Sequence, residues 1–251
     1  MSTMSQSARA SSGPRFSLIV PIYNEEENVT NLLDEIEAVL VPHGPFEALL
    51  VDDGSKDQSR ARMQQWKKDH NASWLRIVAL EKNCGQSGAV MAGVEVACAP
   101  IITTLDGDMQ NDPRDLPDMV QMVESGQADA VVGVRRKRQD TWTRRMSSRI
   151  GNGVRNWVTG DKVTDAACGI KTIRREFFLR APHFVGMHRF MATLVRYQGG
   201  KVVERDVNHR PRAAGVAKYG IGNRALRGLR DCFAVSWLRT RILRHKVAGI
   251  S

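Results

Sequence analysis

The stretch Ile101-Ile-Thr-Thr-Leu-Asp-Gly-Asp-Met-Gln110 decides the fold. Ile101 to Leu105 are apolar or β-branched, which reads as a short buried strand, and the Asp-Gly pair that follows turns the chain. Asp106 and Asp108 flank Gly107, with Gln110 two residues on, so one loop carries oxygen donors suited to a hard divalent cation, Mg²⁺ or Mn²⁺. Asp-Gly pairs are also common in plain turns, so the motif takes its weight from its surroundings.

Toward the N-terminus, residues 16–21, 47–51 and 75–80 read as further strands, the first stopped by Pro21. Between them the pattern is helical. Asn24-Glu-Glu-Glu27 is expected to open a helix whose apolar side is Val29, Leu32, Leu33, Ile36 and Leu40, and residues 57–70 and 85–98 follow suit. Beyond the central motif, residues 113–124 read as helix and 128–134 as a fifth strand. This alternation predicts an α/β fold, a Rossmann-like and mostly parallel sheet flanked by helices. Ligands of such sheets bind beyond the carboxyl ends of the strands. Three polar loops fall there: Tyr23-Asn24-Glu25, Asp52-Asp53-Gly54 and Asp106-Gly107-Asp108. The acids at 52 and 53 can accept hydrogen bonds from a nucleobase or a ribose, and one of them can cap the next helix; Glu25 reads equally as a helix-start residue.

After residue 135 the pattern loosens. A basic helix is expected over 141–158, then Asp165-Ala-Ala-Cys-Gly169, a helix near 174–180, His188-Arg-Phe190, a strand over 202–207 and a long basic amphipathic C-terminal helix over 221–246. The domain reading is a disordered leader over 1–14, a catalytic domain over 15–220 and the basic helix or tail over 221–251.

With 251 residues and a net charge of +10, the chain is long enough for one substantial domain and its charge favours an anionic partner: phosphorylated substrate, anionic lipid or nucleic acid. No nucleic-acid-binding motif accompanies the charge, which argues against the last. The four cysteines form no CxxC pair, which speaks against a zinc site or disulfide framework, fits a cytoplasmic setting and predicts that most are buried as small hydrophobes. No run reaches the roughly 18 apolar residues of a membrane span, so membrane contact is expected to be peripheral.

The segments VPIYNEEENV, LVDDGSKDQS, NCGQSGAVMAG, TLDGDMQNDP, VVGVRRKR, HRF and RPRAAGVAKYG occur in the order found in family 2 glycosyltransferases of the GT-A fold. More narrowly, the chain resembles the polyprenyl-phosphate branch typified by dolichol-phosphate mannose synthase, over about residues 15–220. The resemblance implies inverting transfer of a sugar from a UDP- or GDP-linked donor to a polyprenyl phosphate, with a divalent metal, Mg or Mn. It places Pro21, Tyr23, Glu25 and Asp53 around the donor nucleoside, with Asn24, Asp52 and Gly107 in the same pocket, and makes Asp106, Asp108 and Gln110 the metal set. Arg135, Arg144 and Ser148 match the residues that hold the acceptor phosphate, and Arg212 and Lys218 the basic pair near the donor diphosphate. Ala217 stands where the family more often has Ser. His188-Arg189-Phe190 is implied to close near the acceptor.

A phosphate monoester is already largely ionised near neutrality, so such an acceptor attacks without a general base. The nearest rival, a soluble transferase acting on a saccharide or protein hydroxyl, needs a base, and Asp165 is the candidate to test. The C-terminal helix, which mixes Leu226, Leu229, Phe233, Trp237 and Leu238 with many cations, has two readings. It can lie on the cytoplasmic face of an anionic membrane, or pack on its own domain or on a partner in a homodimer.

Overall fold

The computed structural model describes residues 13–136, 142–211 and 222–241, with only the backbone course given for 142–150 and 222–227. Its elements are β1 (Phe16–Ile22), α1 (Val29–Leu40), β2 (Phe46–Asp52), α2 (Ser59–Asp69), β3 (Leu75–Ala79), α3 (Gly85–Val96), β4 (Ile101–Thr104), α4 (Leu116–Glu124) and β5 (Ala130–Val134). There follow α5 (Trp142–Thr159), β6 (Lys171–Arg174), α6 (Arg175–Arg180), α7 (Met191–Tyr197), β7 (Val202–Asp206) and α8 (Gly222–Leu238). One-turn 3₁₀ helices cover Val41–His43, Pro113–Asp115 and Met187–Arg189.

The strands form one sheet in the order β3-β2-β1-β4-β6-β5-β7. All neighbouring pairs are parallel except those made by β6, which runs antiparallel to both β4 and β5. β2 is buried along its whole length, as a central strand covered on both faces must be, and its alternate residues feed two apolar layers. On one face α1 and α4 seat Leu32, Leu33, Ile36, Met119, Val120 and Val123 against Leu18, Val20 and Leu50. On the other, α3, α6, α7 and α8 pack Val94, Phe178, Leu194 and Val235 with Ile19 and Leu49. Each such fully buried side chain contributes about 1.5–3 kcal/mol. The small-residue character of α3 has a direct cause: a Cβ on Gly93 would lie 2.7 Å from Cγ2 of Ile19 in β1.

Three expectations are corrected. α1 opens at Val29 and not at Asn24, because Asn24 takes a left-handed φ of 51° and the chain first makes a turn in which the amides of Asn28 and Val29 both donate to the Glu25 carbonyl. That turn puts the acids ahead of the helix. Two of the four cysteines, Cys84 and Cys98, are exposed and only Cys168 and Cys232 are buried. The strand β6 and the helix α7 lie where no element was expected. The leader up to residue 12 lies outside the described residues, as do 242–246 of the expected long helix, whose described part ends at Leu238.

Candidate active site

The parallel register brings the three polar loops to one edge. Ile22 at the end of β1 pairs with Asp52 at the end of β2, and Ile19 pairs with Thr104, two residues before Asp106. The turn that follows β4 lies directly on the end of β1: a Cβ on Gly107 would stand 3.1 Å from the Pro21 carbonyl and 2.7 Å from Cδ1 of Ile22. Gly107 is what lets the two loops touch. Met109 then takes a left-handed φ of 63°, curling Gln110 back so that its backbone amide donates to Oδ1 of Asp108 at 3.2 Å.

The loops after β1 and β2 are laced together. Asn24 N donates to Ser55 Oγ at 3.0 Å, Lys56 N donates to Oδ1 of Asn24 at 2.8 Å, and Glu25 N donates to Ser59 Oγ at 2.8 Å. Both acids of the Asp52-Asp53 pair carry structural bonds. Asp52 Oδ1 accepts from Ser55 N at 3.0 Å, while Asp53 caps α3 by accepting from Cys84 N at 2.6 Å and Gly85 N at 2.8 Å. Burial and the neighbouring Asp52 charge push the Asp53 carboxyl up, and the two backbone amides work against this.

Asp106 is held by two amide side chains that stand inside the quoted family segments but were given no role there. Gln86 Nε2 donates to its Oδ1 at 2.9 Å and Asn111 Nδ2 to its Oδ2 at 3.2 Å. Gly169 faces the carboxylate so closely that a Cβ there would fall 2.0 Å from Oδ2. Burial first, and then the Asp108 charge, push the Asp106 carboxyl above its ordinary range. A buried carboxylate raised in this way by a second one, with the Gln110 amide beside them, fits a divalent cation, which would relieve the repulsion. Among the described residues no group of three or more His, Cys, Asp or Glu side chains forms a metal cluster, so the set rests on two carboxylates and one amide. Gln110 is fixed from the other side: Arg210 N donates to its carbonyl at 2.8 Å, and Asn111 forms a bridge with His209. Arg210 itself is anchored on Glu35 and Asp112. The described segment ends at Pro211, next to Arg210; Arg212 and Lys218 lie outside the described residues.

The basic half of the site begins at the end of β5. Arg135 is 11% exposed and makes a side-on pair with Asp165: Nε to Oδ2 at 2.7 Å and Nη2 to Oδ1 at 2.8 Å. Burial disfavours its charge, but the hydrogen bonds and the charge of Asp165 outweigh this and raise its pKa. Lys171 in β6, opposite Thr104 and Val132, is buried between these groups; its Nζ donates to the Cys168 carbonyl, burial lowers its pKa, and the charges of Cys168, Asp106 and Asp165 oppose that lowering. Arg144 and Ser148 fall on α5, but their side chains are outside the described residues. His188 is tied to α3, its Nδ1 sharing a hydrogen 2.7 Å from Ser87 Oγ.

Burial, and then the charges of Lys171 and Arg189, lower the His188 pKa to about 3. A histidine held neutral in the fold favours the unfolded chain once the unfolded imidazole protonates. Stability therefore falls as pH drops below the unfolded value of about 6.5 and goes on falling to about 3. A His188→Gln variant is expected to lose less of its thermal midpoint than the wild type between pH 7 and pH 4, checked by scanning calorimetry.

The sequence pattern of Glycosyl transferase family 2 matches residues 17–180. The chain belongs to glycosyl transferase family 2. Among curated relatives, it is 37% identical over 224 residues to dodecaprenyl-phosphate galacturonate synthase of Rhizobium johnstonii, covering 87% of this chain and 65% of that protein. It is 35% identical over 206 residues to undecaprenyl-phosphate 4-deoxy-4-formamido-L-arabinose transferase of an Enterobacter species, covering 82% of this chain and 62% of the relative. The chain thus spans a little under two thirds of these relatives' length. Its fold is similar to a mannosyltransferase from Pyrobaculum calidifontis in complex with GDP-Man and Mn²⁺, with a TM-score of 0.62 at 23% identity over 94% of this chain and 66% of that one. It is also similar to glucosyl-3-phosphoglycerate synthase from Mycobacterium tuberculosis with Mn²⁺, UDP and phosphoglyceric acid, with a TM-score of 0.65 at 17% identity over 93% and 80% of the two chains. The family 2 sheet is therefore the expected GT-A one, and the antiparallel β6 inserted between β4 and β5 is part of it.

Proposed function

We propose that this family 2 protein transfers a sugar, with inversion, from a UDP- or GDP-linked donor to a polyprenyl phosphate. The observation that carries the reading is the facing of two unlike charge clusters at one sheet edge, the Asp106-Gly107-Asp108 turn with Gln110 on one side and Arg135 with Lys171 on the other. The relatives' names, which join dodecaprenyl and undecaprenyl phosphate to sugars, support the lipid phosphate as the acceptor.

In this reading Pro21, Tyr23, Asn24, Glu25, Asp52 and Asp53 line the nucleoside, and Asp106, Asp108 and Gln110 hold Mg²⁺ or Mn²⁺. Bound there, the cation neutralises the departing diphosphate. Arg212 and Lys218 add charge to the same diphosphate. Arg135, Arg144 and Ser148 hold the acceptor phosphate and align one of its oxygens with the anomeric carbon. A hydroxyl acceptor would need a base, and Asp165 is poorly placed for that role because both its oxygens accept hydrogen bonds from Arg135.

The test is a panel of UDP- and GDP-sugars incubated with a polyprenyl phosphate, with and without EDTA. Lipid-linked sugar forms with at least one donor and disappears on chelation; no product from any donor refutes the reading. Arg144→Ala is expected to raise the apparent KM for the lipid phosphate about tenfold or more with little change for the donor, as loss of a charge-assisted contact predicts.

Membrane attachment through α8 belongs to the same proposal. The helix buries Cys232 and Val235 on its own domain and ties Asp231 to Arg189 at 2.7 Å. One turn apart along its outer face stand Leu229, Phe233 (58% exposed) and Trp237 (62% exposed), with Arg230 exposed nearby and Arg241 over the Trp237 ring just past the helix end. Docked on its own domain by one face, the helix offers by the other an apolar, basic stripe suited to an anionic membrane surface. Among the described residues no helix is long and apolar enough to cross a membrane.

A further inference from the structure

Asp165 is 6% exposed and spends both oxygens on one guanidinium. It also accepts from the backbone amide of Arg135 at 3.3 Å, so three donors of one residue converge on it. An arginine has five N–H groups, and the side-on pair uses the one on Nε and one on Nη2. Of the three that remain, one on Nη1 and one on Nη2 lie along the Nη1/Nη2 edge, which has the fork spacing that matches two oxygens of a phosphate.

The carboxylate is in turn set by its own segment. Cys168 N donates to the Asp165 carbonyl at 3.3 Å, the Lys171 ammonium donates to the Cys168 carbonyl, and Thr104 Oγ1 donates to the Gly169 carbonyl at 2.6 Å. The turn between Asp165 and β6 is thereby pinned to the strand that carries the Asp106-Gly107-Asp108 motif.

We propose that Asp165 is the positioning residue of acceptor binding: it grips the Nε/Nη2 edge of Arg135 and so presents the opposite Nη1/Nη2 edge to the acceptor phosphate. This rests on the reading of the acceptor as a phosphate. Without the grip, a long guanidinium in a buried site adopts other rotamers or folds back on Asp106, and the fork is lost. Because the turn that carries Asp165 is bonded through Gly169 to the strand that precedes the Asp106-Gly107-Asp108 turn, the distance between acceptor phosphate and donor is set by the protein before either ligand arrives.

The test uses the full chain, a short-chain prenyl phosphate and whichever nucleotide sugar supports transfer. Asp165→Glu keeps the charge but shifts the fork by one methylene, and Asp165→Asn keeps the shape but not the charge. Both are expected to raise the acceptor KM roughly ten- to a hundredfold, the scale of a displacement of about 1 Å, with nucleotide affinity unchanged. The combination Arg135→Lys with Asp165→Glu should be no worse than Arg135→Lys alone, since Asp165 acts through Arg135. An unchanged acceptor KM in the Glu variant, additive losses in the double variant, or melting of both variants with loss of nucleotide affinity would each overturn the proposal. Wild-type protein that transfers sugar to no prenyl phosphate would instead sink the proposed function, a different and separately visible result.

Discussion

Asp108→Ala is expected to lower transfer by about a thousandfold, some 4 kcal/mol of transition-state stabilisation, while the protein stays folded. The two halves of that expectation have separate causes. Asp108 lies partly exposed on a turn, where its Oδ1 accepts from the Gln110 amide at 3.2 Å, and it is not among the buried side chains that make up the apolar core. Its second role is electrostatic: its charge helps push up the Asp106 carboxyl, and without it Asp106 relaxes toward its ordinary value. The altered turn keeps one carboxylate and one amide, too few oxygen ligands to compete with water for a divalent ion. Manganese titration followed by electron paramagnetic resonance, run beside a thermal melt, separates the effects. The expected outcome is lost Mn²⁺ binding at an unchanged midpoint. Full Mn²⁺ affinity in the variant would remove Asp108 from the metal set.

The sequence made the first half of the sheet readable because each of its strands is a nearly unbroken apolar run followed by a helical period. β6 was not readable. Lys171-Thr-Ile-Arg174 is only four residues long, has a charge at each end, and is a strand only because β4 and β5 leave a gap between them. Missing it hid Lys171, whose ammonium is buried by that placement and by nothing local. The acids of the site were visible as acids, but not their second engagements: Asp53 caps α3 from 31 residues away, and Asp165 meets Arg135 across 30. Gln86 and Asn111 stood inside two of the quoted family segments but showed no role of their own, since an amide on a helix or in a turn is ordinary until a carboxylate is brought to it. The cysteines misled for a related reason: Cys84 sits at the start of α3 and Cys98 just past its end, where a small side chain is left at the surface.

Gly169→Ala is expected to be as damaging as the loss of an active-site acid, although glycine takes part in no chemistry. The added Cβ would lie 2.0 Å from Oδ2, 2.3 Å from Cγ and 2.6 Å from Oδ1 of Asp106, so every atom of the carboxyl group is in the way. The carboxylate cannot step aside cheaply, because Gln86 and Asn111 hold its two oxygens. The backbone cannot retreat either. Cys168 and Ile170 on either side are buried in the core, and the Gly169 carbonyl is fixed on Thr104. Overpacking of this kind costs about 1–3 kcal/mol, and the displaced carboxylate takes metal affinity and transfer with it. Gly169→Ala should therefore lower the thermal midpoint and abolish Mn²⁺ binding together. Combining it with Asp106→Gly tells steric from chemical loss: the empty position accommodates the methyl group and recovers the midpoint, while transfer stays absent. A double variant as unstable as Gly169→Ala alone would mean that the clash lies with the backbone, and that the close approach of the turn before β6 serves the sheet and not the acid.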